Sequence, residues 1–134
     1  MATIRTLYLG DLRTENEHVQ SGNKVITDAP LDNQGKGEYF SPTDLLATAL
    51  GSCIMTIMGI KARDNGIDLS GTIADVTKIM ASDPRRVAEV IVEFKFPDKD
   101  YSDEEKKLVE SVAGTSPVPL SLHPGLIQTI KFNW

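Results

Sequence analysis

Few residues of this chain could carry covalent chemistry. The one thiol, Cys53, stands in "SPTDLLATALGSCIMTIMGIKARDNG" (Ser41 to Gly66), a stretch with no charge between Asp44 and Lys61. As a thiolate, cysteine is a nucleophile open to reversible oxidation; as a buried thiol it is a small core hydrophobe. A single cysteine forms no internal disulfide, so Cys53 is either packing or a reactive group. It lies about three turns past the helix start marked by Ser41, whereas the helix dipole fades within the first turn. A thiolate there needs a cation from elsewhere, best an arginine, which stays charged when desolvated. The chain offers Arg5, Arg13, Arg63, Arg85 and Arg86, of which Arg63 is too remote along the same helix.

Other chemistry has little to build on. His18 and His123 with one cysteine do not make a zinc spacing, and each reads as a polar turn or surface residue, so no metal is expected. "GDLRTE" and "GKGEYF" lack the phosphate-loop pattern, so their glycines are assigned to turns and no cofactor is expected. The formal net charge of -5 argues against a nucleic-acid partner. The start of the chain lacks the charged, apolar and small-residue succession of a secretory signal, which points to the cytoplasm. The uncharged run Leu45 to Ile60 is sixteen residues long, short of the ~20 that span a bilayer, so a soluble core helix is expected and no membrane.

A chain of 134 residues, 40% apolar and 25% charged, suits one domain over residues 1–134. Its first forty residues read as an antiparallel strand meander, with strands at Thr3–Leu9, Glu17–Gln20 and Lys24–Thr27 and a turn at Ser21-Gly22-Asn23. "DAPLDNQGKGEY", from Asp28 to Tyr39, reads as a covering loop. Ser41 as cap, Pro42 at the first helical position and Asp44 three residues after the cap open a long helix, which Gly66 ends. That helix is apolar on nearly every side and must be enclosed. Residues 71–81 and 87–96 read as a long hairpin around "SDPRR", with Val90, Val92, Phe94 and Phe96 on one face. Ser102 to Glu105 forms a capping box before a second, more exposed helix carrying Leu108, Val109 and Val112. After a turn-rich tail, Ile130, Phe132 and Trp134 alternate in a last strand.

"SPTDLLATALGSC", the apolar helix behind it, the hairpin, the second helix and "SPVPLSLHP" before the final strand resemble the osmotically inducible protein C (OsmC) superfamily, which includes the organic hydroperoxide resistance proteins. The resemblance covers nearly the whole chain. It implies an α+β fold forming an intertwined homodimer, with the cysteine helix buried centrally and active sites at the subunit interface. It also implies thiol peroxidase chemistry, with Cys53 as nucleophile and Arg13, in the N-terminal strand region, as activating cation. Where the peroxidases have a glutamate that orients the arginine, this chain has Thr43, about 80° around the helix from Cys53; the adjacent Asp44 lies about 180° away and suits a cap. An acidic partner for Arg13 is then sought in Glu38 of the covering loop. Where the family has its resolving cysteine, this chain has Ser116.

Two functions follow. One is a thiol-dependent reduction of organic hydroperoxides by Cys53, regenerated by an external thiol because Ser116 cannot resolve a sulfenic acid. In that reading Leu46, Leu50 and Ile57, on the Cys53 face, line an apolar pocket. The other is a non-catalytic dimer that binds a small apolar molecule, with Cys53 as packing or redox sensor.

Overall fold

The computed structural model describes residues 1–134, and the chain forms two compact units, Met1–Leu46 and Ala47–Trp134. The first is a three-stranded antiparallel sheet, β1 (Ile4–Gly10), β2 (Arg13–His18) and β3 (Lys24–Asp28), in sequential order. Asp11 and Leu12 both have positive φ between β1 and β2, as a tight primed hairpin turn requires, and the Leu12 N–H donates to the Tyr8 hydroxyl. β2 therefore begins at Arg13, four residues earlier than the sequence expectation. The reason is composition: "RTENEH" has no apolar alternation and is held by polar pairs such as Thr6 with Asn16 and Thr14 with Thr27.

Helix α1 (Pro42–Asp64) starts as the sequence predicts. The Ser41 hydroxyl accepts from the Asp44 N–H at 3.0 Å, and the Asp44 carboxylate accepts from the Ser41 N–H at 2.9 Å. At the far end Gly66 takes a φ of 70° while the Ile67 N–H reaches back to the Ala62 carbonyl, closing the helix.

The second unit pairs β4 (Ile73–Ala81) antiparallel to β5 (Arg86–Lys95), and β5 parallel to β6 (Ile127–Asn133). Val90, Val92, Phe94 and Phe96 of the predicted face are all buried. They meet the buried stripe of α1, in which Ala47, Leu50, Ile54, Met58 and Ala62 recur at helical spacing. Phe94 lies opposite Phe132 in the ladder, and Phe96 stacks on Trp134 with ring centroids 3.6 Å apart. The capping box at Ser102 and Glu105 opens α2 (Asp103–Glu110), whose Val109 is buried. The tail holds a short helix, α3 (Pro117–Ser121).

At 23 residues α1 is long and apolar enough to cross a bilayer, longer than the uncharged run suggests. Its buried stripe and its charged final turn, Lys61 and Arg63, instead mark it as a core helix. The opposite side, with Thr48, Ala49, Ser52, Thr56 and Ile60, is exposed in the single chain.

Candidate active site

Cys53 sits in the middle of α1 at the margin of its buried stripe. Leu50 and Ile54 beside it are fully buried, whereas Cys53 keeps part of its surface, as do Leu46 and Ile57 on the same face. A cleft of about 350 Å³ runs along the helix, lined by Thr48, Gly51, Ser52, Met55, Ala74 and Val76. Gly51 sets the packing there: a Cβ on it would lie 2.8 Å from the Val76 Cγ2.

Arg13 is the most constrained cation of the first unit. Its Nε donates to Asp28 Oδ1 at 2.7 Å and its Nη2 to Asp28 Oδ2 at 2.8 Å, a bidentate fork. Nη2 also reaches Glu38 Oε2 at 3.2 Å, and the guanidinium carbon lies 4.8 Å from the centre of the Tyr39 ring. The sequence expectation thus found one partner, Glu38, and missed the closer one. Asp28 was assigned to the loop, but it is the last residue of β3 and faces Arg13 across the β2–β3 ladder. The sequence carries no signal for it: the expected turn at Ser21-Gly22-Asn23 is centred later than the observed one, which lies between Gln20 and Ser21 and so sets 28 opposite 13.

The loop after β3 folds back on this pair. The Ala29 N–H bonds to the Leu12 carbonyl, the Gly37 N–H to the Ala29 carbonyl, and the Asp28 N–H to the Phe40 carbonyl. Gly35 makes the return possible, since any Cβ there would overlap the Ala29 carbonyl. The Glu38 N–H is thereby placed on Asp28 Oδ2 at 3.1 Å. The Asp28 side chain is only 1% exposed, against 59% for Glu38. Arg13 above all, and then the Glu38 N–H, hold the Asp28 carboxyl below its ordinary titration range; in return Asp28, then Glu38, raise the Arg13 guanidinium further above its usual value.

Thr43 is half-buried in the first turn of α1, its hydroxyl 3.1 Å from that of Ser41, in the region of the cap. Ser116 is fully buried, and its hydroxyl makes no hydrogen bond. The local sequence explains this. Ser116 caps α3, and Pro119 at the third position of that helix has no N–H to give, which leaves only the Val118 N–H in a cap's reach. His18 Nδ1 contacts the Ser21 hydroxyl at 2.6 Å in a hairpin turn, and His123 Nδ1 accepts from the Gly125 N–H at 2.8 Å. No three His, Cys, Asp or Glu side chains converge as a metal site would need.

Residues 35–131 match the family of OsmC-like proteins. The chain belongs to the OsmC-like family. A relative of known structure, a Psychrobacter arcticus 273-4 protein proposed to be an osmotic stress induced and detoxification response protein, is 55% identical, with 98% of this chain and 96% of that one covered and a TM-score of 0.93. The OsmC-like protein of Mycoplasma pneumoniae shares the fold at 16% identity, with a TM-score of 0.77 and coverage of 96% and 93%. So does an organic hydroperoxide resistance protein OsmC from Legionella pneumophila, at 14% identity, with a TM-score of 0.72 and coverage of 100% and 98%. No curated protein matches the chain.

Proposed function

We propose that this OsmC-like protein reduces organic hydroperoxides with Cys53 as the sole redox residue, in the cytoplasm, as a homodimer of single-domain chains. The carrying observation is that Cys53, the one thiol of the chain, lies at the margin of the buried stripe of α1 and stays partly accessible, which leaves its sulfur open to a small reactant. The Cys53 thiolate attacks a peroxide oxygen, the O–O bond breaks, and the alkoxide leaves as alcohol after taking a proton, which oxidises the sulfur to a sulfenic acid. An external thiol then condenses with it, releasing water and forming a mixed disulfide. A second thiol frees Cys53 as the external disulfide departs. External resolution is required because Ser116 carries an alcohol.

Arg13 is the cation assigned to the thiolate. With Asp28 and Glu38 its cluster carries a net charge of -1, so its help to an anion comes from direct N–H donation rather than from a long-range field. The bonds to the two carboxylates use Nε and Nη2 and leave Nη1 for a further acceptor.

The reading is tested by following consumption of an organic hydroperoxide in the presence of excess low-molecular-weight thiol. Turnover by the wild type and its loss in Cys53→Ser support it; equal rates for the two refute it. The apolar cleft along α1 favours a second reading, binding of a small apolar molecule without turnover, and that reading gains if such a ligand binds and no peroxide is consumed.

A further inference from the structure

We propose that Asp28 is the positioning residue of this site: its buried carboxylate fixes the Arg13 guanidinium in a single orientation, while Glu38 contributes charge and little position. The inference rests on the reading in which Arg13 serves the Cys53 thiol.

The argument is geometric. Asp28 takes both Nε and Nη2 in a planar fork, which removes rotation about the last torsions of the arginine, whereas Glu38 makes one longer bond at 3.2 Å from an exposed side chain. Asp28 is itself fixed three times over. Its backbone pairs with Arg13 in the ladder, its N–H is held by the Phe40 carbonyl, and its Oδ2 also accepts the Glu38 N–H. The charged and aromatic groups around the fork are Glu38 and Tyr39 from the loop and Lys36, which acts on Asp28 from the same loop. Asp28 is buried, and separating its carboxylate from Arg13 would leave an uncompensated buried charge, so the arginine has strong cause to stay where Asp28 puts it. In this chain the strand end does what Thr43, which has no carboxylate, cannot do from the helix start.

The two carboxylates give opposite signs in one experiment. Removing a negative charge near a cation that serves a thiolate favours the thiolate, so charge alone makes either neutral variant lower the pH at which Cys53 ionises. Loss of position does the reverse. The rate of Cys53 alkylation by a neutral thiol reagent is measured against pH for wild type, Arg13→Ala, Asp28→Asn, Asp28→Glu and Glu38→Gln, each checked for folding by circular dichroism. We expect Arg13→Ala and Asp28→Asn to move the profile up in pH, each with a roughly tenfold slower reaction below the titration. Glu38→Gln should move it down or leave it. Asp28→Glu, which keeps the charge but shifts the fork, should move it up, and it reports on the proposal if the asparagine variant does not fold. Should Arg13→Ala shift the profile while Asp28→Asn lowers it like Glu38→Gln, or Asp28→Glu leaves it unmoved, Asp28 acts only by charge and the inference falls alone. If Arg13→Ala leaves the profile unchanged, the assignment of Arg13 to the thiol falls, and this inference with it.

Discussion

Arg13 and Asp28 are partners twice over: their backbones face each other across the β2–β3 ladder, and their side chains close a bidentate ion pair at 2.7 and 2.8 Å. Register and chemistry coincide, so the geometry of the cation is set by the hairpin that carries it.

The pair makes the fold sensitive to acid in a defined direction. Arg13 depresses the Asp28 carboxyl in the folded chain, so the unfolded chain takes up this proton first as pH falls. The contribution to stability is complete above the ordinary carboxylate value near about 4 and is lost as pH drops through the folded value. Asp68, held low by the Ser70 hydroxyl and N–H and then by Lys99, adds to the same window. Asp68 is present in both proteins, so comparing wild type with Asp28→Asn isolates Asp28. The melting temperature of the wild type should fall more steeply below about pH 4 than that of the variant; parallel curves would contradict this.

Ser116 should be dispensable for folding. Its buried hydroxyl makes no hydrogen bond, and Pro119 removes one of the two N–H groups a cap could use. An unpaired buried hydroxyl costs about 1–3 kcal/mol. Ser116→Ala is expected to be as stable as the wild type or up to about 1 kcal/mol more stable in urea unfolding. A loss of comparable size would show that the hydroxyl is bonded in solution.

Much of this was legible from residue patterns, and the exceptions have physical reasons. The limits of α1 were readable because Ser41, Pro42 and Asp44 each satisfy or tolerate an orphan N–H, and because Gly66 accepts a positive φ. The β4–β5 hairpin announced itself through one buried alternating face. β2 did not, since its residues are polar on both faces and are stabilised by cross-strand pairs that only register reveals. Asp28 was hidden for a related reason: an Asp before Ala-Pro reads as a turn residue, and its burial depends on a loop that returns through Gly35. The parallel pairing of β6 with β5 is a tertiary choice with no local signature.

Gly51 should resist replacement. An alanine in a helix interior gains up to about 1 kcal/mol over glycine, but here its Cβ must displace Val76, whose branched side chain is stiff. Gly51→Ala is therefore expected to be no more stable than the wild type, and Gly51→Val to lose about 1–3 kcal/mol in urea unfolding. An alanine variant more stable by the full helix-propensity gain would show that α1 and β4 are not in close contact.

Both units leave apolar side chains exposed in the single chain: Leu7, Leu9 and Val25 on the first sheet, Ile73, Val76 and Ile79 on β4, and Ile60 on α1. Such surfaces are seldom left to water. Light scattering at micromolar concentration should report the mass of two chains. The mass of one chain would remove the dimer from the account.

The central claim is that Cys53 reacts with peroxide and finds no resolving thiol in its own chain. Reduced protein is treated with one equivalent of an organic hydroperoxide and its intact mass is read at once, then again under excess peroxide. The account predicts a gain of one oxygen on Cys53, trappable as sulfenic acid, that advances to two oxygens under excess; Ser116→Cys should instead lose two hydrogens if the sulfurs can reach bonding geometry. A wild-type protein that gains no mass under peroxide, while Cys53 alkylates readily once unfolded, would contradict it and leave the thiol as packing.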